Sequence, residues 1–415
     1  GGTEQLVLDL VLQEVASVLQ LFVLFFDWLD AGLADLNGIL VAAAAPAPSS
    51  TARRASHAPG VAELQAAVQG LACKYMQAEL AYSRLTSAKA IEMAEEVDGV
   101  NTMVEFTFFV VQKCFRRACS CREVLLVICP LLTTLAESIL VDQLFPALSA
   151  LRKRAGVARA DNGRALVALN SLQQAVDYAG QLVAVVRAAA AETFGEHAPL
   201  AEGPIGVIEA VAGELGGQGQ EAARELADDL LPTAWLLLEW QMASYVIGAS
   251  GKGATGHEPG GEGANGESSP PREAAAADDE EGPPPADTMP STRMLQKLMA
   301  SLEALRPKLR PEPYAATVEA LAVALAARME EGVLSKRFNE LGAIQLQDEL
   351  RRIVEALSGA TDGSVRHCFA RLTQTAFLLN ASSVNEAVSL MAEACATAAD
   401  GDGGARAERL TAEEA

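Results

Sequence analysis

The sequence predicts an all-α protein built from helical bundles, and three observations lead there. Half of the residues are hydrophobic but only 5% are aromatic, and Ala and Leu, which favour helices over strands, dominate the apolar set. Apolar residues recur at steps of three and four over long windows. Nothing in the chain alternates strand-like and helix-like runs, so no βαβ unit is indicated.

The first region, 1–60, begins with an apolar helix. Its most apolar stretch is VASVLQLFVLFF at 15–26. Such a run is too short to cross a bilayer, and no basic segment precedes it as in a secretory signal. It is expected to form a buried core helix. The chain opens on Gly1 rather than Met, and we expect a piece of a longer protein. An Ala/Pro/Ser-rich linker, AAAAPAPSSTARRASHAPG, closes the region at 42–60.

The second region, 61–248, reads as a helical bundle domain. FTFFVV at 106–111 looks strand-like alone, but Met103, Phe106, Val110 and Cys114 place it on a helix. Leu166, Leu169, Leu172, Val176, Leu182 and Val186 form a second helical stripe. Residues 249–292 are rich in Gly, Pro and acid. They bury too little apolar surface to offset chain entropy, so they are expected to be a disordered acidic linker.

The last region, 293–415, reads as a truncated C-terminal helical bundle domain. Asn339 is a suitable N-cap for a helix whose Leu346, Leu350, Ile353 and Leu357 face inward. Asp348, Arg351 and Arg352 then point outward, with Asp348 and Arg352 spaced for a surface ion pair. Val365, Phe369, Leu372, Ala376 and Leu379 make the next core stripe. Val384, Val388 and Met391 continue it after a turn near Asn380.

The formal charge of −22 repels phosphate backbones and argues against nucleic-acid partners. Seven cysteines in a chain this large point to a reducing compartment rather than a disulfide framework. Cys114, Cys119, Cys121 and Cys129 cluster without the paired spacing zinc requires, and are expected as buried thiols. Gly251-Lys252-Gly253-Ala254-Thr255-Gly256 matches GxGxxG, but it lies in the linker without the flanking strand and helix of a dinucleotide site. His367 and Cys368 are chain neighbours, which on an α-helix would point apart. The residues therefore suggest no catalytic site, no metal and no cofactor.

One resemblance adds to this reading. FNELGAIQLQDELR at 338–351, FARLTQ at 369–374, LLNAS at 379–383 and LTAEEA at 410–415 resemble the C-terminal region of subunit four of the conserved oligomeric Golgi complex. That family carries FN-x-LGG-x-Q-x-x-x-ELR, FARL[ST]Q, ILNLE and LTPAEV. MVEFTFFVVQKCFRRA at 103–118 is similar to its MVDDVFYIVKKC-x-x-RA segment, and VALNSLQQAVDYAGQL at 167–182 to its LV-x-LNN-x-E helix. The family's second Gly is Ala343 here.

The resemblance implies a rod of stacked helical bundles and a non-enzymatic vesicle tether in retrograde intra-Golgi transport. It implies residence on the cytosolic face of the Golgi membrane, peripherally recruited, with a cytoplasmic pool. Its partners would be the other subunits of the complex, Golgi SNAREs and a Sec1/Munc18-type protein. Another helical scaffold, such as an exocyst-like rod or a helical repeat protein, is the alternative.

Periodicity puts Phe369 and Leu372 on the buried face and Arg371 at its edge. There Arg371 either reaches to water or meets a carboxylate. The resemblance favours the second, since Arg371 is the Arg of FARL and Glu414 aligns with the Glu of LTPAEV. Arg371 is therefore expected to pair with Glu414 and shape a surface used by partners.

Overall fold

The structure, a computed structural model, describes residues 2–43, 59–120, 125–157, 162–194, 199, 201–231, 240, 243–246, 291–381 and 385–389. Helices dominate these residues, as the composition predicts. The expected linkers lie largely outside them, as do Cys121, the GxGxxG match and Glu414. The chain forms two compact units, Gly1–Leu226 with Arg306–Ala316, and Ala227–Leu305 with Thr317–Ala415.

The first unit opens with α1 (Gly2–Ala43) and α2 (Pro59–Glu92). A two-stranded hairpin, Glu96–Val97 with Val100–Asn101, turns at Asp98 and Gly99, both at positive φ. That is the backbone a tight Asp-Gly hairpin demands. The Asn101 side chain then accepts from the Met103 amide at 3.0 Å, at the start of α3 (Met103–Ser120). FTFFVV is thus helical, as its wider pattern predicts. α4 (Leu125–Ala136), a π-helical stretch (Glu137–Leu144) and α5 (Phe145–Val157) follow one another directly. α6 (Asn162–Phe194) and α7 (Glu202–Leu230) complete the unit.

Its core is made by facing stripes from α1 to α7. Val111, Cys114 and Ala118 of α3 are buried in one core with Leu132, Leu135, Leu140 and Leu148. Leu166, Leu169, Leu172, Leu182 and Val186 of α6 are buried, as their spacing requires. Asn170 clamps three chain segments. Its Nδ2 donates to the carbonyls of Gly99 (3.1 Å) and Lys308 (2.9 Å), and its Oδ1 accepts from the Arg310 amide (2.9 Å). Ser171 Oγ accepts from the Asn101 amide at 2.9 Å.

The apolar run at 15–26 differs from its expectation. It belongs to a helix of 42 residues, and only one face is buried, through Leu12, Ala16, Leu19, Val23 and Phe26. Gln13, Glu14, Gln20 and Asp27 break the apolar run in the sequence without breaking the helix. Gln5–Leu29 is long and apolar enough to cross a membrane by length and composition.

The second unit contains α8 (Ser291–Leu305), α9 (Pro311–Leu334) from Thr317 onward, α10 (Glu340–Ala360), a 3₁₀ turn (Arg366–Phe369) and α11 (Ala370–Leu379). α10 packs against α8 and α11. Leu346, Leu350, Ile353 and Leu357 are buried, and so are Val365, Phe369, Leu372 and Ala376. Leu379, expected on that stripe, is instead 37% exposed, and the continuation fails at Val388, which is 63% exposed; Val384 and Met391 lie outside the described residues.

Candidate functional site

α10 begins where its sequence says it should. Asn339 sits in extended backbone, and its Oδ1 accepts from the Gly342 amide at 2.9 Å. This satisfies one of the amides a helix start leaves without an intrahelical partner. Position 349 lies three residues after Leu346 and four before Ile353, so the inward stripe carries Glu349 with it. Glu349 is fully buried. Its neighbour Asp348 stays outside and pairs with Arg351 at 3.1 Å, rather than with Arg352 as the spacing suggested. Both side chains of that pair are well exposed, so the choice of partner carries little energy.

Three donors converge on the buried carboxylate. Oε2 accepts from Tyr245 OH at 2.6 Å and Trp240 Nε1 at 3.2 Å, and Oε1 accepts from Gln345 Nε2 at 3.0 Å. Both aromatic residues are buried, and their rings meet edge to face at 6.4 Å. Tyr245 also stacks on Phe338 at 5.1 Å. Lys336 Nζ donates to the carbonyls of Trp240 and Ala243, and lies 4.1 Å and 4.9 Å from the Trp240 and Tyr245 ring centres. The backbones join as well: Tyr245 and Phe338 form a parallel bridge, and the Asn339 amide donates to the Tyr245 carbonyl at 3.3 Å.

Two glycines make room for this clasp. A Cβ at Gly342 would collide with the Tyr245 carbonyl, and one at Gly332 with the Trp240 ring. A glycine is needed where a backbone or ring approaches this closely. The next residue, Ala343, is buried and tolerates its Cβ.

Burial pushes the Glu349 carboxyl above its ordinary value, and hydrogen bonds from Tyr245, Gln345 and Trp240 offset this in part. Burial and the adjacent carboxylate raise the Tyr245 phenol. Burial lowers Lys336, with Glu349 acting in the opposite sense. A general acid or base must reach a substrate proton. Glu349 is closed off and occupied by three donors, so its arrangement suits anchoring.

The remaining site residues divide between core and surface. Phe369 and Leu372 are buried as expected. Arg371 Nε donates to Glu330 of α9, with side chains 30% and 22% exposed. Glu414, its expected partner, lies outside the described residues. Cys368 and His367 do meet, contrary to the helical argument, because they sit on a 3₁₀ turn. Cys368 Sγ is 3.3 Å from His367 Nε2, and that same nitrogen is 3.2 Å from Glu319. A nucleophilic triad uses opposite ring nitrogens for nucleophile and acid. Burial also pushes the Cys368 thiol up rather than down, which disfavours the thiolate. Cys114, Cys119 and Cys129 likewise have raised thiols through burial, Cys119 to about 11. Among the described residues, no three His, Cys, Asp or Glu side chains are grouped to hold a metal.

Sequence reasoning missed Glu349 and its partners, and also a buried ion cluster in the first unit. Arg117 Nε and Nη2 fork onto the Glu79 carboxylate at 2.9 and 2.6 Å, and Nη1 reaches Asp9 at 2.7 Å. Lys113 pairs with Asp9 at 2.5 Å. The signal was present in Lys113-Cys114-Phe115-Arg116-Arg117, where spacing by four puts Lys113 and Arg117 on one face.

Comparison with known proteins finds likeness in the C-terminal part of the chain. A family profile described as "Conserved oligomeric Golgi complex subunit 4, C-terminal" matches residues 272–415. The chain is 34% identical over 103 residues to conserved oligomeric Golgi complex subunit 4 of Arabidopsis thaliana, covering 24% of this chain and 14% of that protein. It is 35% identical over 85 residues to the Drosophila melanogaster protein of the same name, covering 20% and 11%. Against the Homo sapiens protein of that name it is 35% identical over 92 residues, covering 22% and 11%. The matched stretches thus span only a small part of those relatives. Residues 272–415, which carry α10 and the Lys336–Glu349 side of the clasp, are thus similar to the C-terminal region of conserved oligomeric Golgi complex subunit 4.

Proposed function

We propose that this chain supplies the C-terminal portion of a Golgi vesicle-tethering subunit, acting in retrograde intra-Golgi transport through protein contacts rather than catalysis. The observation that supports this reading best is the use made of the family-like residues. Phe338, Asn339, Gly342, Gln345 and Glu349 are all engaged in holding Trp240 and Tyr245 or capping α10. Asn170, Ser171, Lys113 and Arg117 serve the first unit in the same way. A signature devoted to holding shape is what a scaffold requires, whereas an enzyme's signature leaves reactive groups facing a cavity. The partners of this reading are the other subunits of the complex, Golgi SNAREs and a Sec1/Munc18-type protein. Recruitment to the cytosolic face of the Golgi membrane is peripheral.

The test is replacement in cells that lack their own subunit 4. Full-length subunit 4 carrying residues 272–415 of this chain in place of its own C-terminal region should co-purify with the other subunits, localise to the Golgi and restore surface glycans read by lectin binding. A chimera that is expressed and folded, yet restores none of these, would overturn the proposal.

A further inference from the structure

The outer face of α1 carries a second stripe that the described residues leave exposed. Val7, Val11, Val18, Leu21, Phe25 and Trp28 are each 42% to 69% exposed. With Glu14 they fall at steps of four, three, four, three, four and three, the 3.5-residue repeat of a coiled-coil seam. The opposite face holds α1 in the core through Leu12, Ala16, Leu19 and Phe26, and through Asp9 on Lys113 and Arg117. The helix therefore presents an exposed apolar seam from a fixed base.

Charge identifies what fits it. Glu14 is exposed at a seam position, where docking of a second helix would desolvate it. No Lys, Arg or His occurs anywhere in Gly2–Ala43, so a second copy of α1 cannot supply the matching base in any register. Parallel self-pairing would set Glu14 against Glu14. A membrane surface is equally poorly matched, since interfacial helices carry Lys and Arg beside their apolar face. We propose that α1 docks a helix of another protein, one with a heptad apolar stripe and a Lys or Arg facing Glu14. This surface lies in the first unit and stands independently of the tethering function.

The experiment uses the full chain and two synthetic four-heptad peptides with Leu at both seam positions, one carrying Lys and the other Glu at one central seam position. Fluorescence anisotropy should show the Lys peptide preferred by about tenfold or more. Glu14→Lys should invert that preference. Leu21→Asp with Phe25→Asp should remove binding of both peptides while the helical circular dichroism persists. Equal binding of the two peptides, or a preference that Glu14→Lys leaves unchanged, overturns the proposal. Absence of peptide binding does so too. So does binding to phosphatidylserine–phosphatidylcholine vesicles that Leu21→Asp abolishes, or a dimer in light scattering that it dissociates.

Discussion

Tyr245 donates its phenolic hydrogen to Glu349 at 2.6 Å across 104 residues of sequence. Trp240 shares the same oxygen, so one carboxylate fixes two aromatic side chains that would otherwise bury a polar atom without a partner. Such an atom costs about 1–3 kcal/mol. Glu349 is therefore the keystone that holds Trp240 and Tyr245 within the second unit.

Tyr245→Phe should destabilise the second unit by about 1.5–3 kcal/mol, the range for a hydrogen bond to a charged group. Glu349→Ala should cost more, about 3–5 kcal/mol, because several donors lose their acceptor and a cavity opens. The double variant should be less harmful than the sum, since both changes remove one interaction. Denaturant unfolding followed by Trp fluorescence reports this directly. Strict additivity would show that the two residues do not act together.

Two glycines of α10 should respond oppositely to Ala. Gly359 has open space where a Cβ would go and should gain about 0.5–1 kcal/mol, the usual benefit of Ala inside a helix. Gly342→Ala drives a methyl into the Tyr245 carbonyl, and should lose stability by at least as much as Gly359→Ala gains. Thermal unfolding of the two variants side by side decides it. A stabilised Gly342→Ala would mean that the Tyr245 backbone is not held in this way.

Much of the fold was legible because its helices repeat apolar residues locally. Leu346, Leu350, Ile353 and Leu357 announce the α10 core face without knowledge of any other helix. Glu349 was not legible, although it lies on that face, because a Glu is ordinarily solvated and its partners are distant in the chain. The same distance hid the need for Gly342. In α1, the second apolar stripe was visible as hydrophobicity but was read as complete burial. Arg371 was placed correctly at the edge of the core. Its partner Glu330 comes from α9, whose position no local pattern reveals.

Glu349 also gives the second unit a pH signature. Its carboxyl is raised from 4.5 by burial, with Tyr245, Gln345, Trp240 and Lys336 opposing. Above 4.5 the unfolded chain releases this proton before the folded chain does. The group's contribution is thus fully present below 4.5 and is lost as pH rises through the folded value. Asp9 works in the opposite sense: burial raises it, but Lys113 and Arg117 lower it overall, so its contribution is lost at low pH. Glu349→Gln should isolate the first effect, its stability relative to the parent rising from pH 4.5 towards neutrality. A difference independent of pH would show that Glu349 does not titrate abnormally.

The buried fork between Arg117 and Glu79 and the neighbouring Lys113–Asp9 pair provide a contrast within one cluster. The Arg117 and Glu79 side chains are 2% and 0% exposed, whereas those of Lys113 and Asp9 are 39% and 24%. Water screens the second pair, so Lys113→Ala should cost no more than about 1 kcal/mol. Arg117→Ala leaves Glu79 charged and buried, and should cost about 3–5 kcal/mol. Arg117→Lys should recover only part of this, because an ammonium cannot reproduce the planar two-point contact. Arg117→Met with Glu79→Leu removes both charges at similar volume, and should recover most of the loss, as buried ion pairs replaced by apolar groups often do. Unfolding of all four variants, monitored by circular dichroism, checks the series. If Lys113→Ala proved as damaging as Arg117→Ala, the cluster would act as a surface network, and burial would not be what gives Arg117 its weight.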